Sequence, residues 1–287
     1  MRILILGGDG MLGHRLLLHL QARHQVKVTL RRELAAYAGF GLFHRDNAYP
    51  EIDCRYIERL LEVVGDFGPQ AIVNCVGIVK QRAEAKAAIP SLEINALLPH
   101  RLNVVAALAQ ARLVHLGTDC VFSGSRGGYR EEDAGDADDL YGRSKLLGEV
   151  GESPCITLRT SIIGPELSRK SGLLEWFLAQ KGGSIKGFTG AIFSGFTTSE
   201  LSRVIERVLV EYPRAAGLYH VSNAPISKYD LLSRLNVRLA MGMKIVPWSD
   251  FHCDRSLDST RFRTEFAYTP PSWDEMIEEL ARDLNRE

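Results

Sequence analysis

The fold is decided by the opening stretch Arg2–Gly13, which reads Arg-Ile-Leu-Ile-Leu-Gly-Gly-Asp-Gly-Met-Leu-Gly. Its first residues form a short aliphatic run that ends in glycine, a pattern typical of a buried parallel strand. The glycines fit the G-x-G-x-x-G pattern, and Leu12, Leu16 and Leu20 then recur every fourth residue, as on a helix that packs on a sheet. Such a turn lets the backbone approach a pyrophosphate, whose charge meets the free N–H groups of the helix. The stretch therefore predicts a dinucleotide site, with a ligand-free tight turn as the alternative.

Strand and helix signals alternate along the rest of the chain. Runs of Val, Ile and Leu predict strands, and apolar residues at helical spacing predict helices. We predict strands at 2–6, 25–30, 71–78, 113–116, 156–159 and 218–222, and helices at 56–64, 91–111, 173–180, 198–210, 229–241 and 273–284. This alternation predicts an α/β fold with a doubly wound parallel sheet, the NAD(P)-binding Rossmann arrangement.

The alternation breaks down after Gly164. Apart from the short helix, the segment 166–195 is rich in glycine, and we predict it as loop. We expect residues 1–163 and about 196–224 to form the dinucleotide-binding domain. The remaining segments, about 164–195 and 225–287, are expected to form a smaller C-terminal substrate-binding lobe.

Composition excludes several classes of protein. The chain has 287 residues, of which 45% are apolar and 24% charged, so extensive disorder is excluded. Lys plus Arg equals Asp plus Glu at 35 each, and this zero net charge predicts no nucleic-acid partner. No apolar run approaches the roughly 18–20 residues that span a bilayer, and the run after Met1 is too short for a secretory signal. We therefore expect no membrane partner.

The cysteines and histidines predict neither a disulfide framework nor a metal site. Five cysteines are scattered, odd in number and without C-x-x-C spacing. We therefore expect free thiols in a reducing cytosol and a cytoplasmic protein. His14 and His19 lack the spacing and the intervening carboxylate of a metalloprotease motif.

Two arginines follow the second predicted strand, where NAD sites usually have an acid that holds the ribose 2′-hydroxyl. Arg31 and Arg32 suit a 2′-phosphate and cannot accept a hydrogen bond from a hydroxyl. We therefore predict NADP(H) as the preferred cofactor. Glu33 keeps NAD(H) as an alternative, and a pair of surface arginines without a ligand is the other interpretation.

Tyr141 and Lys145 are four residues apart, which places them on one face of a helix. A lysine beside a phenol lowers the pKa of the tyrosine, because positive charge favours the phenolate. Such a tyrosine can give or take a proton near neutral pH. Thr118 offers a hydroxyl just after the strand at 113–116, at the edge where open α/β sheets bind ligands.

Three linked motifs resemble one known family. They are Thr118-Asp-Cys-Val-Phe-Ser-Gly124, Tyr129-x-Glu131 and Tyr141-Gly-x-Ser-Lys-x-x-Gly-Glu149. The sequence resembles the extended short-chain dehydrogenase/reductases. Within them it is most similar to the dTDP-4-dehydrorhamnose reductase branch, the sugar-nucleotide 4-ketoreductases. Further matches, which extend the resemblance over most of the chain, lie around Asn74, Asn95, 158–161 and 256–273.

The resemblance implies NADPH-dependent reduction of the C4 ketone of a nucleotide-activated deoxyhexosulose, a step that feeds the synthesis of surface-polysaccharide sugars. Tyr141 would protonate the C4 oxygen, and Lys145 would hold the nicotinamide ribose and bias Tyr141. Thr118 would position the same oxygen. Asn95 matches the helix asparagine that the family ties to a water-linked proton path. A homodimer is left open.

Two sets of contacts are expected. The cofactor set is Gly7, Gly10, Met11, Leu12, Gly13, Arg31, Arg32, Asp46, Asn47, Cys75, Val76, Gly77, Tyr141 and Lys145. The substrate set is Val79, Thr118, Asp119, Cys120, Arg159 and Thr197. For Asp46 and Asn47 two interpretations remain, a contact to the adenine edge of the cofactor or a structural role in a loop turn. For Arg159 two interpretations also remain, a contact to a phosphate group of the ligand or hydrogen bonds to buried carbonyl groups of the protein.

The sequence departs from the branch at Cys120, where a tyrosine is frequent, and at 195–198, where Gly-Phe-Thr-Thr replaces a Pro-Thr arrangement. The segment 166–195 carries no recognisable nucleotide signature, so a UDP-linked N-acetyl deoxyhexosulose is as acceptable as a dTDP sugar.

One alternative function is a sugar-nucleotide dehydratase or epimerase. However, Cys120 stands where a 4,6-dehydratase has glutamate, and a thiol with a pKa of about 8.5 is a poor acid for expelling hydroxide. The other alternative function is that of a non-enzymatic NADP-binding subunit, which would resemble the regulatory subunit of methionine adenosyltransferase.

Overall fold

The computed structural model describes residues 1–79, 87–168 and 170–285. The strands are β1 Arg2–Leu6, β2 Gln25–Thr29, β3 Ala48–Tyr49, β4 Ala71–Asn74, β5 Arg112–Leu116, β6 Cys155–Arg159, β7 Ile162–Ile163, β8 Ser184–Phe193, β9 Phe196–Thr197, β10 Gly217–His220, β11 Ile226–Ser227 and β12 Lys244–Asp254. The α-helices are α1 Gly13–Leu20, α2 Ile57–Phe67, α3 Ala88–Ser91, α4 Leu98–Leu108, α5 Leu140–Leu147, α6 Leu173–Leu178, α7 Thr198–Glu211, α8 Lys228–Arg238, α9 Thr260–Glu265 and α10 Trp273–Leu284. Short 3-10 helices lie at Leu34–Phe40 and Asp119–Val121.

The chain divides into two compact units. The first comprises Met1–Gly117, Asp139–Leu158 and Ser202–Leu218. The second comprises Thr118–Asp138, Arg159–Leu201 and Tyr219–Glu287. The lobe expected at about 164–195 and 225–287 lies within the second unit, which also takes in residues placed in the expected dinucleotide-binding domain. The domain boundaries drawn from the sequence stay a prediction.

The first unit is built on a mostly parallel sheet of seven strands in the order β10-β6-β5-β4-β1-β2-β3. β1 pairs in parallel with β2 on one side and with β4 on the other, so that Ile3 lies opposite both Val26 and Ala71. The predicted doubly wound α/β fold is confirmed. The strand order reverses its direction between β1 and β4, and open α/β sheets bind dinucleotides in the crevice at such a point.

Helices α2 and α4 pack on this sheet through apolar side chains. Leu4 and Leu6 of β1 form one buried cluster with Leu60 of α2 and Leu102 of α4. On α1, Leu16 and Leu20 are fully buried. Burial of a leucine side chain stabilises the fold by about 1.5–3 kcal/mol. These contacts hold the carboxyl ends of β1 and β4 in place, where the predicted site lies.

The second unit contains a three-stranded sheet in the order β11-β8-β12 and a two-stranded sheet of β7 and β9. The prediction of loop at 166–195 is wrong over Ser184–Phe193, which forms β8. The glycines of β8 allow close packing. A Cβ on Gly187 would lie 2.6 Å from Cδ2 of Tyr229, and a Cβ on Gly190 would lie 2.7 Å from the carbonyl oxygen of Phe251. Here glycine marks close approach within a sheet rather than loop.

The helix predicted at 91–111 is interrupted. A π-helix at Leu92–Leu97 joins α3 to α4, and Pro99 stands at the start of α4. Proline has no N–H to donate, so the regular hydrogen-bond ladder cannot pass through it. In contrast, α10 begins and ends at the predicted residues, and its start is fixed by the reciprocal capping box of Ser272 and Glu275. Within the described ranges, no helix is both long and apolar enough to cross a membrane.

Candidate functional site

The glycine turn between β1 and α1 requires glycine at two positions, one for lack of space and the other for its backbone conformation. A Cβ on Gly13 would lie 2.1 Å from the carbonyl oxygen of Gly7, and Gly7 has a φ of +81°. The N–H of Gly10 donates to Gly7 O at 3.1 Å, and the N–H of Gly7 donates to Thr29 Oγ1 at 3.1 Å. In the described chain no side chain caps the N-terminus of α1, which starts after the buried Leu12. The turn thus has the shape and the open helix terminus that a phosphate requires.

The loop after β4 packs against this turn. The Cβ position of Gly7 lies 3.1 Å from Val76 Cγ2 and 3.5 Å from the carbonyl oxygen of Cys75. The N–H of Cys75 donates to Leu6 O at 3.1 Å. The structure therefore brings together two of the predicted cofactor segments, the glycine turn and residues 75–77.

The arginine pair follows β2 and is exposed. The backbone N–H of Arg32 donates to Tyr37 Oη at 3.3 Å, and this hydroxyl donates to Asp9 Oδ2 at 3.2 Å. Asp9 is part of the glycine turn, so the backbone of the arginine pair is linked to that turn. Sequence reasoning missed Tyr37. The available signal was a tyrosine in the Ala- and Gly-rich segment that follows Arg31 and Arg32.

The side chain of Asn47 forms hydrogen bonds within its own loop. Its Oδ1 accepts the N–H of His44 at 2.9 Å, and its Nδ2 donates to Leu42 O at 3.0 Å. Asp46 is exposed beside it. These contacts agree with the loop-turn interpretation of Asn47, and an adenine contact from either residue stays a prediction.

Lys145 is buried on α5, one turn after the half-buried Tyr141. Asp139 caps the start of this helix, because its Oδ1 accepts the N–H of Gly142 at 2.7 Å. Lys145 Nζ donates to the backbone carbonyl of Leu116 at 2.7 Å. Burial lowers the pKa of Lys145 to about 8. The ammonium group is therefore held at the carboxyl end of β5 and is mostly charged at neutral pH.

Asn95 holds α5 against the loop after β4. It is buried in the π-helix, where its Oδ1 accepts the N–H of Ile78 at 2.9 Å and its Nδ2 donates to Ile78 O at 3.0 Å. The same Nδ2 lies 3.1 Å from Ser144 Oγ, which donates to Tyr141 O at 2.9 Å. A Cβ on Gly148 would lie 1.8 Å from Asn95 O, so this contact requires glycine. The side chain of Asn95 thus positions the helix of Tyr141, and the water-linked proton path stays a prediction.

A buried polar pair spans β4 and β5 beneath this helix. Asn74 and His115 lie opposite each other in register, and Asn74 Nδ2 donates to His115 Nδ1 at 3.1 Å. Burial lowers the pKa of His115 well below 6.5, and the charge of Lys145 lowers it further. The imidazole is therefore neutral at neutral pH. Sequence reasoning did not single out His115, although a histidine within an otherwise aliphatic strand was the available signal.

In the second unit, Thr118 starts a tight turn. Its Oγ1 accepts the N–H of Cys120 at 3.2 Å and lies 3.3 Å from Asp119 Oδ1. Burial raises the pKa of Asp119, while hydrogen bonds from Ser161 and Cys120 and the charge of Arg255 oppose this rise. Burial also raises the pKa of Cys120 to about 12, and the neighbouring Asp119 adds to it. Cys120 is therefore a neutral thiol at physiological pH.

The remaining predicted substrate residues lie in different surroundings. In the second unit, Arg159 is buried, and its Nη1 lies 3.0 Å from His220 Nε2. Its guanidinium carbon also lies 5.2 Å from the centroid of the Phe122 ring. Thr197 is buried, and its Oγ1 accepts the N–H of Glu200 at the start of α7. In the first unit, Val79 is exposed. The geometry gives Arg159 and Thr197 structural contacts, and their substrate roles stay predictions.

Comparison with known proteins gives one family match. The model described as RmlD substrate binding domain matches residues 1–286. The chain is 25% identical over 265 residues to dTDP-4-dehydrorhamnose reductase from Aggregatibacter actinomycetemcomitans, covering 81% of this chain and 87% of that protein.

Two further comparisons concern a shorter match and a solved structure. The chain is 28% identical over 155 residues to methionine adenosyltransferase 2 subunit beta from Bos taurus, covering 52% of this chain and 41% of that protein. The crystal structure of dTDP-4-dehydrorhamnose reductase from Bacillus anthracis in complex with NADP has a TM-score of 0.78 and 23% identity. That likeness covers 98% of this chain and 99% of the other. At this identity it shows the shared fold.

Proposed function

This chain belongs to the family whose model is described as RmlD substrate binding domain, and on that premise we propose that it uses NADPH to reduce the C4 ketone of a nucleotide-activated deoxyhexosulose. The family match confirms the resemblance to the dTDP-4-dehydrorhamnose reductase branch that the motifs indicated. The predicted class, an NAD(P)-dependent oxidoreductase, is confirmed with it. The substrate, the reduced carbon and the preference for NADPH belong to the proposal.

The residues of the first unit fit a dinucleotide phosphate. The turn at Gly7–Gly13 requires glycine at Gly7 and Gly13 and leads into the uncapped start of α1, which suits a pyrophosphate. The exposed guanidinium groups of Arg31 and Arg32 would hold a 2′-phosphate. Lys145 Nζ, fixed by Leu116 O, would hold the nicotinamide ribose. The relative from Bacillus anthracis, which was crystallised with NADP, supports this choice of cofactor.

Proton delivery falls to Tyr141 and Lys145. When bound, the reduced nicotinamide supplies the hydride that adds to C4. Tyr141 donates its phenolic proton to the C4 oxygen, so that the ketone becomes an alcohol. The ammonium group of Lys145, one helical turn away, stabilises the phenolate that remains. Its pKa of about 8 keeps it mostly charged at neutral pH.

The state of Cys120 favours simple reduction over dehydration. Loss of water from a sugar requires an acid that protonates the departing hydroxyl. Cys120, with a pKa raised to about 12, does not give up its proton readily enough for that role. A role for the hydroxyl of Thr118 in positioning the substrate stays a prediction.

The match to methionine adenosyltransferase 2 subunit beta supports a second candidate, a non-enzymatic subunit that binds NADP. A regulatory subunit needs the dinucleotide cradle but has no need of a proton donor. The retention of Thr118, Tyr141 and Lys145 together argues for the enzyme, because a subunit that only binds the dinucleotide has no need of all three. The homodimer, the cytoplasmic location and the lack of a nucleic-acid partner stay predictions.

The observation that carries the proposal is the set of hydrogen bonds through Asn95. They join the helix of Tyr141 and Lys145 to the loop after β4, and that loop packs on Gly7. The proton donor and the dinucleotide turn therefore belong to one connected assembly within the first unit.

The test is NADPH oxidation, followed by absorbance, with dTDP- and UDP-linked 4-dehydro-deoxyhexoses. We expect one NADPH oxidised per sugar reduced by the wild type, and a rate at least about 100-fold lower for Tyr141→Phe. Tyr56→Phe, at an exposed tyrosine, is the matched control and should keep the wild-type rate. A Tyr141→Phe variant as fast as the wild type would refute the assignment. Redox-neutral turnover would select an epimerase or dehydratase, and cofactor binding without any turnover would select the regulatory subunit.

A further inference from the structure

Asn74 and His115 are two buried polar side chains near the carboxyl ends of β4 and β5. Each is 1% exposed, and they lie opposite each other in the parallel register of the two strands. The predicted cofactor residues 75–77 follow Asn74 directly. Val76 of this loop packs on the glycine turn, because its Cγ2 lies 3.1 Å from the Cβ position of Gly7. The pair is thus joined to the predicted cofactor site, although the proposed mechanism uses neither residue.

Two hydrogen bonds fix the orientation of the Asn74 amide group. Its Oδ1 accepts the N–H of Val76 at 3.1 Å, and its Nδ2 donates to His115 Nδ1 at 3.1 Å. A backbone N–H can only donate a hydrogen bond, so the amide atom that faces Val76 has to be the oxygen. The amide nitrogen therefore faces the imidazole, and an NH2 group can only donate.

This orientation determines where His115 carries its proton. Its Nδ1 has to be an unprotonated acceptor, so the neutral imidazole carries its proton on Nε2. Burial lowers the pKa of His115 well below 6.5, and the charge of Lys145 lowers it further, so the ring is neutral at physiological pH. Within the described part of the chain Nε2 has no hydrogen-bond partner. The polar role of the ring therefore rests on Nδ1.

Without the acceptor on His115, the amide of Asn74 would lose the contact that fixes it. Its NH2 group would be a buried donor without a partner, which is unfavourable. The amide would then be free to rotate, and the N–H of Val76 would lose its acceptor whenever the oxygen turned away. The loop after β4 would be held less firmly against Gly7.

We propose that His115 is a positioning residue for cofactor binding, which holds the amide of Asn74 in the orientation that anchors Val76 and the loop after β4. This inference rests on the proposed function, because it takes residues 75–77 as part of the cofactor site. It extends the set of residues on which cofactor binding depends to a side chain inside β5.

The experiment measures the dissociation constant of NADPH by calorimetry for the wild type and three variants of the full chain. His115→Leu removes the acceptor and should bind NADPH about fivefold more weakly, as for the loss of one hydrogen bond. His115→Asn keeps an acceptor oxygen on Cγ, where histidine has Nδ1, and should bind within about twofold of the wild type.

Thr157→Val is the matched control. Thr157 is fully buried on β6, opposite His115 in register, and its Oγ1 donates to Val150 O at 2.7 Å. The variant removes a buried hydrogen bond from the neighbouring strand without touching Asn74. It should unfold at a lower urea concentration than the wild type and keep the wild-type affinity for NADPH.

A second measurement tests the position of the proton. NMR of protein labelled with nitrogen-15 distinguishes a protonated from an unprotonated ring nitrogen, and the signals of His115 are those that disappear in His115→Asn. We expect the proton on Nε2 in the wild type. Asn74→Asp should place a proton on Nδ1, because a carboxylate can only accept a hydrogen bond.

Wild-type affinity in His115→Leu would overturn the inference, and so would a His115→Asn variant as weak as His115→Leu. A proton on Nδ1 in the wild type would also overturn it. An equal loss of affinity in Thr157→Val would reject it as well, because the effect would then follow from any weakening of the sheet.

Failure of the proposed function gives a different result. In that case the wild type would not bind NADPH, or Gly13→Ala would bind it as tightly as the wild type. Weak binding by Gly13→Ala, together with an unaffected His115→Leu, would retain the proposed function and reject the role of His115.

Discussion

Replacing Lys145 with methionine should stabilise the protein while it removes activity. The side chain is 5% exposed, and burial lowers its pKa from 10.5 to about 8. This difference, at 1.36 kcal/mol per pH unit, corresponds to about 3 kcal/mol by which the charged lysine opposes folding at pH 7. Methionine is apolar and similar in length, so it removes that penalty. It also leaves the carbonyl of Leu116 without its donor, which costs about 1–2 kcal/mol. The net expectation at pH 7 is a gain of about 1–2 kcal/mol.

The pH dependence of the free energy of unfolding separates the effect of Lys145 titration from the effect of the lost hydrogen bond. Between pH 8 and 10.5 the unfolded chain binds more protons at this residue than the folded chain, so wild-type stability rises with pH in that window. The stability advantage of Lys145→Met over the wild type should therefore shrink by about 3 kcal/mol between pH 7 and 10.5. Urea unfolding followed by circular dichroism at a series of pH values measures it. Lys181→Met, at an exposed lysine, is the control and should show no such change. An advantage that stays constant across this range would refute the reasoning.

Three further changes test other parts of the account. Gly13→Ala should weaken NADPH binding by about tenfold or more in calorimetry, because its Cβ would lie 2.1 Å from Gly7 O. An affinity equal to that of the wild type would contradict the proposal that this turn binds the pyrophosphate. Asn95→Ala should lower the free energy of unfolding in urea by about 2–4 kcal/mol, because both backbone groups of Ile78 lose their partner; a change below about 0.5 kcal/mol would argue against this clamp. Burial and the charge of Arg159 lower the pKa of His220 from 6.5 to about 4, so wild-type stability should fall by about 3 kcal/mol as the pH drops through that window. His220→Gln should show a smaller fall in the same assay, and an equal fall would assign the acid sensitivity to other groups.

The first unit was largely predictable, because its signals are local. β1 and the glycine turn were specified by an aliphatic run and by glycines that a Cβ would disrupt. The same holds for one helix of the second unit, α10, which was specified by its capping residues and apolar spacing. In such segments the pattern along the chain and the packing in three dimensions require the same residues.

The second unit was harder to predict, because its strands depend on distant partners. β8 contains glycines that pack against Tyr229 and the backbone of Phe251, and these contacts cannot be seen from neighbouring residues. Its partner β12 has mostly exposed side chains and lacks a clear apolar alternation. Tyr37 was missed for a similar reason, since its importance comes from Asp9, which lies 28 residues earlier in the chain.

The central claim is hydride transfer to the C4 ketone with a proton from Tyr141, and the most direct measurement is the fate of a deuterium label. The protein is incubated with a nucleotide-linked 4-dehydro-deoxyhexose and NADPH that carries deuterium at the transferable position, and the product is analysed by mass spectrometry and NMR. We expect one deuterium at C4 of the sugar for each NADPH oxidised, with product formation strongly reduced in Tyr141→Phe. A sugar product without deuterium at C4, or turnover without oxidation of NADPH, would contradict the account.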